Sequence, residues 1–171
     1  MYDWHFDDPF SNTWVLLRQT WEAMAQYLES ELSMHQVKLA QMDILMMLSA
    51  SKALLTESQI ASYTFRTLQS VSGLVTRMEN AGYLRKVRGA GDQRVVKVQM
   101  LPKGDEVVKK VRRAGFVYGC RVMKSSLSEK EIELLKQLLK KLRDGALQEI
   151  ALKTEPLPDI VDTPRLDRRH P

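Results

Sequence analysis

Between Thr56 and Met100 the hydrophobic period of the chain changes from helical to alternating, and each boundary carries a residue suited to it. Thr56-Glu57-Ser58-Gln59 has the form of a capping box, with Leu55 and Ile60 where a hydrophobic staple would sit. It opens a short helix that ends near Tyr63. Thr67 is placed to cap a second helix, LQSVSGLVTRMENAG, whose apolar residues Val71, Leu74, Val75 and Met78 recur at three and four. Gly82 follows Ala81 as the left-handed residue that commonly closes a helix. The spacing then predicts a β-hairpin, with strands at Tyr83–Arg88 and Arg94–Met100 about a turn at Gly89–Gln93. Ala53–Leu55 is expected to add a short strand.

The two faces of the second helix differ in kind. Opposite the apolar stripe stand Gln69, Ser70, Ser72, Gly73, Thr76 and Arg77, small or polar residues with little bulk to obstruct another molecule. Charge is distributed unevenly around them. Residues 66–113 contain 12 Lys/Arg against 4 Asp/Glu, a net of +8, whereas the first 50 residues contain 2 basic and 7 acidic residues, a net of −5. A basic stretch is commonly only a solvated surface. Here the excess coincides with the hairpin and the polar helix face, which is the electrostatic footprint of a polyanionic partner.

Helices are expected on both sides. From Ser11 to Leu32, Trp14, Leu17, Trp21, Met24 and Leu28 alternate by three and four in a heptad seam. The seam packs either on the chain's own core or on a partner chain. Leu39 to Ala50 is apolar nearly all round, which predicts a core helix with its methionines as packing. Pro102 suits the first turn of a helix running from about Lys103 to Met123, with Val107, Val111, Ala114, Tyr118 and Val122 at helical spacing. Ser128 and Glu131 form another capping box, and Ile132, Leu135, Leu138, Leu142 and Leu147 stripe a last helix that ends near Ile150. From Lys153 onward four prolines and mixed charges predict an extended or disordered tail.

Short helix, tight turn, second helix with an open polar face, then a basic hairpin: this order defines a winged helix-turn-helix. A helix fits the major groove of B-DNA and presents side chains to base edges, and an adjacent hairpin reaches flanking phosphates or the minor groove. The fold class expected is mainly α with a small β-hairpin wing, flanked by N- and C-terminal dimerisation helices. The expected regions are an N-terminal dimerisation helix (1–36), a winged helix-turn-helix DNA-binding domain (37–101), C-terminal dimerisation helices (102–152) and the proline-rich tail (153–171).

The stretches SVSGLVTRMENAGYLRK and RGAGDQRVVKVQMLPKG, with the helices around them, resemble the MarR family of bacterial transcriptional regulators over roughly Asn12 to Ile150. The Asp-x-Arg at Asp92–Arg94, followed by a β-run and a Lys-Gly helix start, is the most specific part. The resemblance implies a homodimer whose terminal helices intertwine. Each subunit would place its recognition helix in the major groove and its wing tip in the adjacent minor groove. Members are usually repressors, and many release DNA when a small anionic or phenolic ligand binds between the dimerisation and DNA-binding regions. Three features depart from the family pattern: Met100-Leu101 replaces Leu-Thr, Lys38 replaces a capping Ser or Thr, and the tail beyond Ile150 has no counterpart.

The candidate recognition residues are therefore Thr67, Gln69, Ser70, Ser72, Thr76 and Arg77. Arg88 and Arg94 are the candidates on the wing, with Asp92 orienting Arg94 by a bidentate pair. Arg77, Arg85, Lys86 and Lys97 are further candidates for phosphate contact. Trp14, Leu17, Trp21, Met24, Leu28, Leu135, Leu138 and Leu142 are candidates for the dimer contact. Cys120 reads as a buried structural thiol. His5, His35 and His170 are too scattered for a metal site, and no nucleophile–base, zinc or P-loop spacing occurs, so neither an enzyme nor a cofactor is expected. No apolar run is long enough to span a membrane and the N-terminus does not read as a signal peptide, which points to the cytoplasm. The rival reading is a winged-helix module that binds a protein and not specific DNA.

Overall fold

The computed structural model describes residues 6–88 and 95–150, apart from the side chains of residues 31 and 113–118. In chain order it contains α1 (Pro9–Ser33), α2 (Leu39–Ala50), β1 (Leu55–Thr56), α3 (Glu57–Thr64), α4 (Leu68–Asn80), β2 (Leu84–Arg88), β3 (Val96–Met100), α5 (Pro102–Ser126) and α6 (Glu129–Glu149). The fold is mostly helical with one small antiparallel sheet, as expected of a winged helix.

The capping residues act as the sequence implies. Thr56 Oγ1 accepts the Gln59 N–H, and the Gln59 side chain accepts the Thr56 N–H. Thr67 Oγ1 accepts the Ser70 N–H at 3.2 Å and starts α4. Gly82 lies at φ 76°, a conformation that glycine adopts without steric cost. Ser128 and Glu131 cap α6 reciprocally, and the hydrogen bonds from Ser128 hold the Glu131 carboxyl below the usual range. At α2, Lys38 has no side-chain cap, but Gln41 still accepts the Lys38 N–H at 2.9 Å.

Some boundaries differ from expectation. Helix α1 starts at Pro9 because Asp8 caps it, accepting the N–H groups of Phe10 and Ser11. The short strand is Leu55–Thr56, so Thr56 both ends β1 and caps α3. Helix α5 runs on to Ser126. Cys120 is partly exposed and not buried. The side chains of Ala114 and Tyr118, expected on the apolar stripe of α5, and the tail from Lys153 lie outside what the structure describes.

The sheet order is β1-β3-β2. Leu55 pairs with Val98, and Lys86 pairs with the same residue from the other side. The core lies where the end of α1, α2, α3, α4, the sheet and the start of α5 converge. Leu32, Ile44, Leu45, Leu55, Ile60, Val71, Val75, Met78, Leu84, Val98 and Val108 are its fully buried side chains. Helix α6 contributes no buried residue.

Gly104 fixes how closely α5 approaches this core. A Cβ there would lie 2.5 Å from the Tyr83 carbonyl oxygen, 3.0 Å from Met100 Cγ and 3.1 Å from Leu45 Cδ2. The same carbonyl accepts the Leu101 N–H at 2.9 Å, so it cannot move without opening the junction of wing and helix. Gly104→Ala is expected to cost about 1–3 kcal/mol by overpacking, read as a lower urea midpoint. An unchanged midpoint would show that α5 shifts freely.

Candidate nucleic-acid interface

Helix α4 divides cleanly. Val71, Leu74, Val75 and Met78 are buried. Thr67, Gln69, Ser70, Thr76 and Arg77 are exposed, and Ser72 is half-buried. The helical period that seats one stripe in the core turns the polar stripe outward. Thr67 is less available than the rest, because its oxygen already caps the helix.

Two apolar residues at the front of this face were not singled out from the sequence. Leu68, the first residue of α4, is 51% exposed although it stands three residues before Val71. Phe65, in the turn before it, is exposed and held at φ 54°, a left-handed conformation unusual for a bulky side chain. Hydrophobic periodicity would assign Leu68 to the core stripe, yet it is exposed.

The wing flanks this face. Arg85 and Arg88 are exposed on β2, and Lys97 is half-buried on β3. Arg85 Nε donates to Gln99 Oε1 across the strands at 2.9 Å, which fixes the guanidinium stem. Arg94 and Asp92, the central pair of the sequence reading, lie outside the described residues.

Not every basic side chain of this region contributes to an outward positive field. Arg66 faces Asp43 of α2 at 3.5 Å. Burial pushes the Asp43 carboxyl up, and the Arg66 guanidinium pulls it the other way. Lys109 pairs with Asp105 one turn earlier. Lys103 donates to the Ala81 carbonyl at the end of α4 and lies over the Tyr83 ring. Lys86, a candidate for phosphate contact, is 3.0 Å from Glu57 Oε1 and bonded to Thr76. Arg77 remains exposed on the polar face of α4, and Arg85 and Arg88 remain exposed on β2.

Helices α1 and α6 present apolar side chains to solvent. Trp14 is 66% and Trp21 58% exposed, with Leu17 beside them in the seam. Leu138 and Leu142 are exposed on α6, and Leu135 is half-buried. Met24 and Leu28 turn partly inward, and Leu28 packs against the core. The seam thus serves two surfaces, its C-terminal end the chain's own core and its N-terminal end the outside.

Helix-turn-helix, third strand and two-stranded wing on one core make this a winged helix-turn-helix protein. Residues 35–95 match the family model described as MarR family. That segment is similar to MarR-family domains, and the fold as a whole is similar to that of the solved MarR-family regulators. AbsC, a MarR family transcriptional regulator from Streptomyces coelicolor, is 23% identical, with a TM-score of 0.75 over 84% of this chain and 97% of its own. MepR of S. aureus, in a complex with DNA, is 24% identical, with a TM-score of 0.70 over 77% of this chain and 96% of its own. CouR from Rhodococcus jostii RHA1, bound to p-coumaroyl-CoA, is 12% identical, with a TM-score of 0.69 over 79% and 92%. Comparison with curated protein sequences finds no match.

Proposed function

We propose that this chain is a sequence-specific DNA-binding transcriptional regulator that acts as a homodimer, normally as a repressor, on a pseudo-palindromic operator. The observation that carries the reading is the exposed polar face of α4 with Arg77 on it and Arg85 and Arg88 on the strand beside it. Gln69, Ser70, Ser72 and Thr76 have the donors and acceptors to read base edges, Gln suiting adenine in a bidentate mode. Leu68 adds an apolar surface of the kind that meets a thymine methyl. Arg88 and Arg94 would enter the adjacent minor groove, with Asp92 aiming Arg94.

The exposed tryptophans of α1 and leucines of α6 support a second copy as the dimer partner, since a monomer gains nothing from leaving them in water. Twofold symmetry then sets two half-sites about one helical turn apart, roughly 34 Å. The reading includes a small anionic or phenolic effector. An open cavity of about 530 Å³ where α1 passes into α2, lined by Glu29, Ser33, Gln36, Val37 and Lys38, is of a size for one. The test is titration of duplex DNA from upstream of the chain's own gene at a series of salt concentrations. A protein-binding winged helix would show no salt-sensitive affinity for that duplex.

A further inference from the structure

Lys86 stands in the middle of β2, on a hairpin whose neighbouring cations face solvent, yet its own charge is spent inside the protein. Its Nζ lies 3.0 Å from Glu57 Oε1, with side-chain exposures of 30% for Lys86 and 19% for Glu57. The contact is ionic and not a well-aligned hydrogen bond, because Glu57 Oε1 makes no hydrogen bond of good geometry. The same Nζ donates to Thr76 Oγ1 at 3.3 Å, and the Lys86 N–H donates to Glu79 Oε1 at 2.7 Å. One residue of the wing therefore touches α3 through Glu57 and α4 through both Thr76 and Glu79.

This arrangement has a mechanical consequence. The contacts between α4 and the wing run along Thr76 and Glu79, three residues apart and so on one helix face. A rigid duplex fixes the offset between its major and minor grooves. Helix and wing must therefore be held at one mutual angle if both are to engage it. A backbone hydrogen bond sets the height of β2 against α4, and the ammonium bridging Glu57 and Thr76 resists rotation about that bond. The ammonium also occupies a lone pair of the Thr76 hydroxyl, which leaves its hydrogen free to be turned outward as a donor.

We propose that Lys86 is a positioning residue: bound to Glu57 and Thr76, it sets the angle between wing and recognition helix and makes no phosphate contact. The inference rests on the DNA-binding reading above and assigns a role within that site. It reverses the expectation from simple electrostatics for Glu57. Removing an acid near a DNA face should tighten binding if charge alone matters. If Glu57 holds Lys86 in place, its removal loosens binding.

The experiment measures duplex affinity and its salt dependence for wild type, Glu57→Gln, Lys86→Met and the exchanged pair Glu57→Lys/Lys86→Glu. Both single variants are expected to lose about tenfold in affinity. Their log–log salt slopes should equal that of wild type, and the exchanged pair should regain most of the loss. Phosphate contact would instead reduce the slope of Lys86→Met by about 1.8 per dimer, because each lost contact is worth about 0.9. That reduction, or a Glu57→Gln variant that binds as tightly as wild type or tighter, overturns the proposal. Glu57→Gln leaves residue 86 a lysine while removing its ionic partner, and remains informative if Lys86→Met does not fold. Wild-type protein without salt-sensitive binding would instead overturn the DNA-binding reading itself, and the role of Lys86 with it.

Discussion

Replacing Trp14 and Trp21 together by Ala is expected to dissociate the proposed dimer in sedimentation while leaving the far-ultraviolet circular dichroism unchanged. Both rings are more than half exposed in the single chain, so neither supports the core around Ile44, Leu45 and Val75. A second copy laid on this face would cover four rings. Covering about 100 Å² of each contributes on the order of 10 kcal/mol before ordering costs are subtracted. A remainder of only about 4 kcal/mol is a thousandfold in the dissociation constant of the dimer. Duplex affinity should fall in parallel, since each half-site would then be bound without the local concentration that the linked partner supplies. A double variant that stays dimeric at micromolar concentration would move the dimer contact elsewhere.

The second large effect is expected at the wing. Arg94→Ala should lower duplex affinity by at least about thirtyfold, because a dimer loses the contact twice and each is worth about 1–3 kcal/mol. Arg88→Ala should have a smaller effect, as Arg88 sits at the strand end and not at the tip. Neither change should alter sedimentation. Asp92→Ala separates aiming from contact. If Asp92 only orients Arg94, its loss weakens binding although it removes a negative charge from the interface. Full affinity in Arg94→Ala would sink the wing assignment.

The features legible in the sequence are those encoded within a few residues. Thr56, Thr67, Gly82 and Ser128 mark element ends because capping is chemistry over three or four positions, and all four act as expected. The division of α4 into a buried and an exposed stripe follows from its period alone. Asp8 is harder to read as a cap because an aspartate before proline also suits a turn, and here it starts α1 two residues before Ser11. The inward turning of Arg66 and Lys86 depends on Asp43 and Glu57, which lie 23 and 29 positions away in the chain, so neither periodicity nor composition reveals it. The net of +8 read over residues 66–113 therefore overstates the outward field. Leu68 is exposed although periodicity points it to the core stripe, so its exposure is not legible in the pattern either.

Binding of duplex DNA by the face of α4 and the wing is open to direct measurement. The direct measurement is fluorescence anisotropy of a labelled upstream duplex, titrated with the protein between 50 and 200 mM salt. With three basic contacts in each half of the dimer, the log–log slope should be about −5 and the affinity should fall about a thousandfold over that range. A scrambled duplex of the same length should bind far more weakly at the upper end. A flat salt response, or equal affinity for both duplexes at 200 mM, would contradict the account.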